Sequence, residues 1–160
     1  MHPLLLPRAV RPGDLVAVAA LSGPLHPDEI GLRDRGVEVL REMGFRVRVT
    51  PPVAANRRRW WAAGTPQELA DELNGLLRDP EVRAIVAQTG GNVTASYLDL
   101  IDVEAVRADP KPIFGYSDIS LLHLALHART GLVGFHADLG AHGFGGDWFS
   151  LGDAARRAEL

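Results

Sequence analysis

The sequence contains no cysteine. That excludes disulfides, zinc–thiolate centres and cysteine nucleophiles. It also lacks an excess of basic charge. With 17 Lys and Arg against 20 Asp and Glu, the formal net charge is -3, which argues against broad, charge-driven nucleic-acid binding. No apolar run approaches the roughly 18–20 residues needed to span a bilayer, so no membrane association is expected. The Leu4-Leu5-Leu6 patch near the start is interrupted by Pro3 and Pro7 and has no basic leader before it. It does not read as a signal peptide, and a cytoplasmic protein is the expectation. No G-x-G-x-x-G follows the first apolar strand, and no Walker A sequence is present. A nucleotide-binding flavodoxin-like protein would therefore lack its phosphate loops.

What is present is a chain of 160 residues, 46% of them hydrophobic. That is enough for one domain with a real core. Asp14–Ala20 (DLVAVAA) and Val82–Ala87 (VRAIVA) are short, Val- and Ala-rich runs, the pattern of strands buried on both faces of a parallel sheet. Phe45–Thr50 alternates apolar and polar residues, which predicts a more exposed strand ended by Pro51-Pro52. Ile113–Gly115 and Leu132–Phe135 read as further short strands. Helices are predicted over Asp28–Met43, Thr65–Leu77, about Ala95–Leu100, about Val103–Ala108 and Ile119–Ala128. Thr65, Pro66 and Glu68 form an N-terminal capping signature, and Gly44 is placed to stop the first helix. The β-α alternation implies a mostly parallel sheet with helices on both faces and right-handed crossovers. Ligands in such sheets sit beyond the carboxyl ends of the strands. Leu21–Pro24, Gln88–Thr94, Gly115–Ser120 and the segment from Phe135 onward leave those ends. After Ala137 the pattern gives way to a glycine-rich loop, with Ser150 or Asp153 as a cap for a short final helix.

Five motifs could carry chemistry. In Gln88–Ala95 (QTGGNVTA) two glycines follow a buried strand and precede a helix. This is either a plain strand-to-helix turn or the logic of a nucleophile elbow, in which a hydroxyl attacks a carbonyl and nearby N–H groups hold the oxyanion. The familiar G-x-S-x-G is absent. In Gly115-Tyr116-Ser117-Asp118, Ser117 or Asp118 either caps the next helix or lines a site. His123 and His127 have i, i+4 spacing, but Leu124 stands where H-E-x-x-H needs Glu, so a buried or interface role is favoured over a metal. His136, Asp138 and His142 read as a polar rim ahead of a metal site. Finally, Arg57-Arg58-Arg59-Trp60-Trp61 is the one basic aromatic run. It suits anion, base or peptide recognition, or equally a solvated loop with one tryptophan packed inward.

Several segments, taken together and in order, resemble a known family. They are RPGDLVAVAALSGP at 11–24, GFRVRV at 44–49, AGTPQELADELNGLLRDPEVRAIVA at 63–87, TGGNVTASYLDLID at 89–102, KPIFGYSDIS at 111–120 and LHARTGLVGFHA at 126–137. The chain resembles the N-terminal domain of the LD-carboxypeptidase family, which includes the microcin C immunity peptidases. The resemblance implies a flavodoxin-like or class I glutamine amidotransferase-like three-layer sandwich. It implies serine peptidases that cut the amide between an L- and a D-amino acid in cytoplasmic murein peptides, without cofactor or metal, usually as homodimers. The immunity branch cleaves a peptidyl-nucleotide antibiotic.

The family's nucleophilic serine corresponds to Thr94, three positions after Gly91. Its Glu and His partners come from a C-terminal domain. Residues 1–148 then read as the nucleophile-side domain and 149–160 as the start of the linker to that second domain. The implied site comprises Thr94 as catalytic residue and Gly90, Gly91 and Ala95 around the oxyanion, with Ser22, Tyr116, Ser117, Asp118 and His136 lining the pocket. Three positions depart from the family pattern: Thr94 replaces serine, and Ala137-Asp138 replaces the usual Gly-Pro after His136. The expected partner is a murein peptide or peptide-like small molecule. A non-catalytic binding or assembly module that keeps the fold is the alternative.

Overall fold

The computed structural model describes residues 3–148 and 151. Ser150, Asp153 and the final helix lie outside the described residues. Five strands form one parallel sheet: β1 Leu15–Ala19, β2 Arg46–Val49, β3 Val82–Ala87, β4 Ile113–Gly115 and β5 Phe135–His136. Their spatial order is β2-β1-β3-β4-β5. All five residues of β1 are buried because β1 lies between β2 and β3, with helices above and below. This is why its sequence is continuously apolar rather than alternating. β2 is an edge strand, and its arginines alternate outward with Val47 and Val49 on the core side.

The helices are α1 Ile30–Glu42, α2 Pro51–Ala54, α3 Pro66–Arg78, α4 Val103–Ala108 and α5 Ile119–Thr130. α1 and a π turn at Gly143–Trp148 pack on each other. On the opposite side α3, α4, α5 and a 3-10 turn at Thr94–Leu100 pack together. The result is a three-layer α/β sandwich. The crossover to β3 reverses the direction in which strands are added, so the β1/β3 boundary is the switch point of the sheet.

Local chemistry explains most element ends. Glu68 Oε2 accepts from the Thr65 N–H at 2.8 Å, and Thr65 Oγ1 accepts from the Glu68 N–H at 3.3 Å. The Thr65 amide, and then Arg59, hold the Glu68 carboxyl down to about 2. Gly44 closes α1 with φ +88, a left-handed conformation that costs glycine little. Lys111 is wholly buried, yet its Nζ donates to Leu77 O, Asp79 O and Asp109 Oδ2 at 2.7, 2.9 and 2.9 Å. Its charge is therefore fully compensated beside the end of α3.

The structure departs from the sequence reading in four places. Pro51-Pro52 ends β2 but also opens α2, because a proline N–H is not needed in a first helical turn. The helix expected near Ala95 is the 3-10 turn Thr94–Leu100. Leu132 forms an isolated parallel bridge to Leu5, and the strand itself begins at Phe135. The apolar leader is thus tied to the sheet edge. The glycine-rich segment is not open loop throughout: Gly143–Trp148 forms the π turn against α1. Among the described residues, no helix is long and apolar enough to cross a membrane.

Removing the α3 cap isolates its contribution. Thr65→Ala is expected to cost about 1 kcal/mol and to lower Tm by about 2–4 °C, measured by thermal denaturation.

Candidate functional site

The loops leaving β1, β3 and β4 meet at one carboxylate oxygen. Asp118 Oδ2 accepts from Ser22 Oγ at 2.6 Å, Thr94 Oγ1 at 2.7 Å, the Val93 N–H at 2.8 Å and the Thr94 N–H at 2.9 Å. Asp118 sits at the N-cap of α5, but its side chain makes no bond to that helix. It reaches sideways and joins segments 24 and 96 positions away. Burial acts to raise its pKa. The hydrogen bonds from Ser22, Thr94 and Val93 outweigh this and hold the carboxyl below its usual value. Asp118 is therefore an ionised acceptor.

The glycine pair packs against the residues around this carboxylate. The Gly23 N–H donates to Gly90 O at 2.9 Å and closes the β1 loop onto the β3 loop. A Cβ on Gly91 would stand 2.3 Å from Ser22 Oγ and 2.8 Å from Gly23 N. Only glycine permits this approach. Gly90 is packed in the same way: its Cβ would meet Ser117 Cβ at 3.0 Å. Ser117 itself holds φ +57, a conformation uncommon for a residue with a side chain.

The residues singled out from the sequence occupy different depths. Ser22 and Thr94 are fully buried, with Asp118 half-buried between them. Gly91, Ala95 and Ser117 are exposed. Tyr116 is half-buried and meets exposed His136 edge-on, with ring centroids 6.5 Å apart. Burial first, and then the charges of Asp138, Glu29 and Asp147, raise the Tyr116 pKa. His123 and His127 do not converge on a common point. His123 Nε2 lies 3.1 Å from Gly115 O and His127 Nδ1 lies 3.3 Å from Leu132 O. His142 Nε2 lies 3.4 Å from Glu29 Oε1, while Asp138 Oδ1 accepts from the Gly140 N–H at 2.8 Å. Among the described residues, no group of three or more metal-ligating side chains is present.

Two supports were not singled out from the sequence. Tyr97 is wholly buried, and its hydroxyl donates to Leu21 O at 2.7 Å. Gln88 is also buried, and its Nε2 donates to Gly23 O at 3.2 Å. Both steady the β1 loop. The only sequence signal was a polar group inside an otherwise apolar stretch. The basic aromatic run lies beside the same turn. A cavity of about 640 Å³ is lined by Arg58, Trp60, Trp61 and Pro66 on one side and by Val93 and Ser96 on the other.

The arrangement can bind and orient a small polar molecule in the cavity beside the turn. Ionised Asp118 also links stability to pH. Its folded pKa is depressed, so its contribution is present above the unfolded aspartate value of 3.8 and is lost as pH falls through the folded value. Asp118→Asn is expected to cost about 1–3 kcal/mol at neutral pH. The difference from wild type should shrink below that aspartate value, as read by urea denaturation across pH.

The chain and its fold resemble known proteins. Residues 16–137 match the family model described as the LD-carboxypeptidase N-terminal domain. A putative carboxypeptidase of Vibrio cholerae is 35% identical over 142 residues, covering 89% of this chain and 42% of the relative. A probable murein peptide carboxypeptidase of Bacillus subtilis is 35% identical over 133 residues, covering 83% and 40%. The structure of the microcin C7 self-immunity protein MccF in its wild-type apo state superposes with a TM-score of 0.82 at 31% identity, covering 88% of this chain and 42% of that one. The chain thus spans less than half the length of the relatives it matches. The match takes in the strand ends, the glycine pair and the Asp118 segment together, and the chain belongs to the LD-carboxypeptidase N-terminal domain family.

Proposed function

We propose that this chain forms the glycine-turn half of an LD-carboxypeptidase-type site that binds murein peptides or related small peptide-like molecules, and that the chain alone does not hydrolyse them. The carrying observation is the convergence of the β1, β3 and β4 loops on Asp118, whose partner Ser22 packs against Gly91 and whose donor Val93 lines a cavity. The relatives' names support the ligand class. One is a probable murein peptide carboxypeptidase, and MccF has been solved with glutamyl sulfamoyl guanosine and with aspartyl sulfamoyl adenosine. In this reading the protein is cytoplasmic and homodimeric, and a C-terminal domain completes the site.

The chemistry assigned to the complete site is acyl transfer. Thr94 Oγ1 attacks the amide carbonyl, and the N–H groups of Gly91 and Ala95 receive the developing oxyanion. The hydroxyl proton passes through a histidine to the leaving amine, and water then cleaves the ester. Within this chain the Thr94 hydroxyl donates to Asp118. A carboxylate with a lowered pKa is a weak base for a hydroxyl proton, so activation must come from the Glu and His of the second domain. The burial of Thr94 and its bond to Asp118 also favour a second reading. In that reading the hydroxyl is a structural clamp and the module binds peptide without cutting it.

Calorimetric titration with the tetrapeptide L-Ala-γ-D-Glu-L-Lys-D-Ala tests the proposal. Saturable binding is expected, without release of D-alanine. Placing a bulky side chain on the exposed turn, Ala95→Leu, should weaken binding about 10-fold, or about 1.4 kcal/mol. Turnover by the 160-residue chain would overturn its assigned inactivity. With the Glu- and His-bearing domain supplied, a higher rate for Thr94→Ser would support the hydrolase reading. No turnover with either residue would support the clamp.

A further inference from the structure

We infer that the Trp60–Trp61 hairpin tip is a specificity subsite for a carboxylate-bearing residue of the bound peptide, with Arg58 receiving the carboxylate and the tryptophans covering the methylenes of the same residue. This inference rests on the peptide-binding reading above and extends it to residues outside the glycine turn.

The backbone comes first. The Arg59 N–H donates to Ala62 O at 2.7 Å, and the Ala62 N–H donates to Arg59 O at 3.0 Å. Trp60 and Trp61 are therefore the two central residues of a tight hairpin. Trp60 has φ +59. Two-residue hairpins favour Gly, Asn or Asp in that conformation, and a tryptophan there is strained. Such strain persists where the surroundings enforce it, and it concentrates at ligand-binding positions. The product is an open aromatic wedge. Trp60 is 82% exposed and Trp61 59% exposed, with ring centroids 5.5 Å apart.

The hairpin is fastened to the site. The Ala63 N–H donates to Ser22 O at 2.8 Å. Asn56 grips Leu25 twice, accepting from its N–H at 3.0 Å and donating to its carbonyl at 2.9 Å. The loop that supplies Ser22 to Asp118 therefore also positions the tryptophans. The 640 Å³ cavity between them and Val93 and Ser96 matches the size of a small-ligand pocket. Val93 and Ser96, which line it, flank Thr94 and Ala95 in the chain, where the peptide is placed.

Charge selects the occupant. Arg59 pairs with Glu68 at 3.0 Å. Arg57 bonds Ala63 O and faces Glu68 and Glu72. Arg58 is exposed; its Nη2 donates to Leu25 O at 3.0 Å, and it has no acidic partner among the described residues. One cation at the rim is thus uncompensated. A guanidinium and aromatic faces lining one cavity suit a carboxylate flanked by methylenes.

Two probes test the assignment: L-Ala-γ-D-Glu-L-Lys-D-Ala, which keeps a free carboxylate on its second residue, and the same peptide with that carboxylate amidated. Binding is followed by calorimetry and by tryptophan fluorescence. The wild type should bind the amide about 10-fold more weakly than the acid. Arg58→Gln should bind both alike, and Trp61→Ala should lose about 10-fold for the acid. Trp60→Gly should raise Tm by about 2–4 °C while weakening binding, a pairing that a purely structural role would not produce. Equal affinity of the wild type for the two probes would overturn the inference. So would wild-type binding by Trp61→Ala when Ala95→Leu is impaired, and that result would leave the peptide-binding proposal standing. Loss confined to the hairpin variants, with Ala95→Leu unaffected, would support the subsite and overturn the glycine-turn proposal. No binding of either probe to the wild type would overturn both.

Discussion

A single ionised oxygen, Asp118 Oδ2, organises the carboxyl end of this sheet. Two hydroxyls and two backbone amides donate to it. Those donors come from the loops after β1 and β3, while Asp118 follows β4. Without a shared acceptor, buried Ser22 and Thr94 would each leave a polar group unpaired in a part of the molecule that water does not reach. The bonds also keep the carboxylate charged in spite of its burial. Folding and site assembly are therefore one event here: closing the loops supplies the hydrogen bonds that make the charge tolerable.

The close approach of those loops depends on the absence of side chains at Gly90 and Gly91. Any Cβ at position 91 would occupy the space of the Ser22 hydroxyl. The glycine pair therefore has a packing reason independent of catalysis. Gly91 and Ala95, on either side of the buried Thr94, stay exposed. In the proposed reading one geometric requirement serves both the clamp and the peptide site. The Arg–Trp hairpin is joined to the Ser22 loop by the Ala63 N–H bond to Ser22 O.

Much of this was legible in the residues. Continuous apolar runs at β1 and β3 marked central parallel strands, and the alternation at β2 marked an edge. Thr65, Pro66 and Glu68 announced the start of α3 through chemistry confined to one turn. The family resemblance grouped Ser22, Thr94 and Asp118, and the structure joins the three by hydrogen bonds. Less legible were elements whose form depends on distant contacts. The turn at Thr94–Leu100 is 3-10 rather than α-helical. It fits between α3 and α5, and no local periodicity records that space. Leu5 finds Leu132 only when the sheet edge exists.

The sequence by itself determined the class of fold, the positions of the buried strands, the exclusion of thiol chemistry and the glycine pair at a strand-to-helix junction. Each follows from composition or from patterns within about ten residues. Tertiary structure alone decided that Asp118 bonds across to Ser22 and Thr94 instead of capping its own helix, that the Thr94 hydroxyl lies buried, and that the Trp60–Trp61 tip stands beside the glycine turn. Those facts join residues as many as 96 positions apart. They follow from strand order and loop closure, which bring together groups whose separation along the chain carries no trace of their contact.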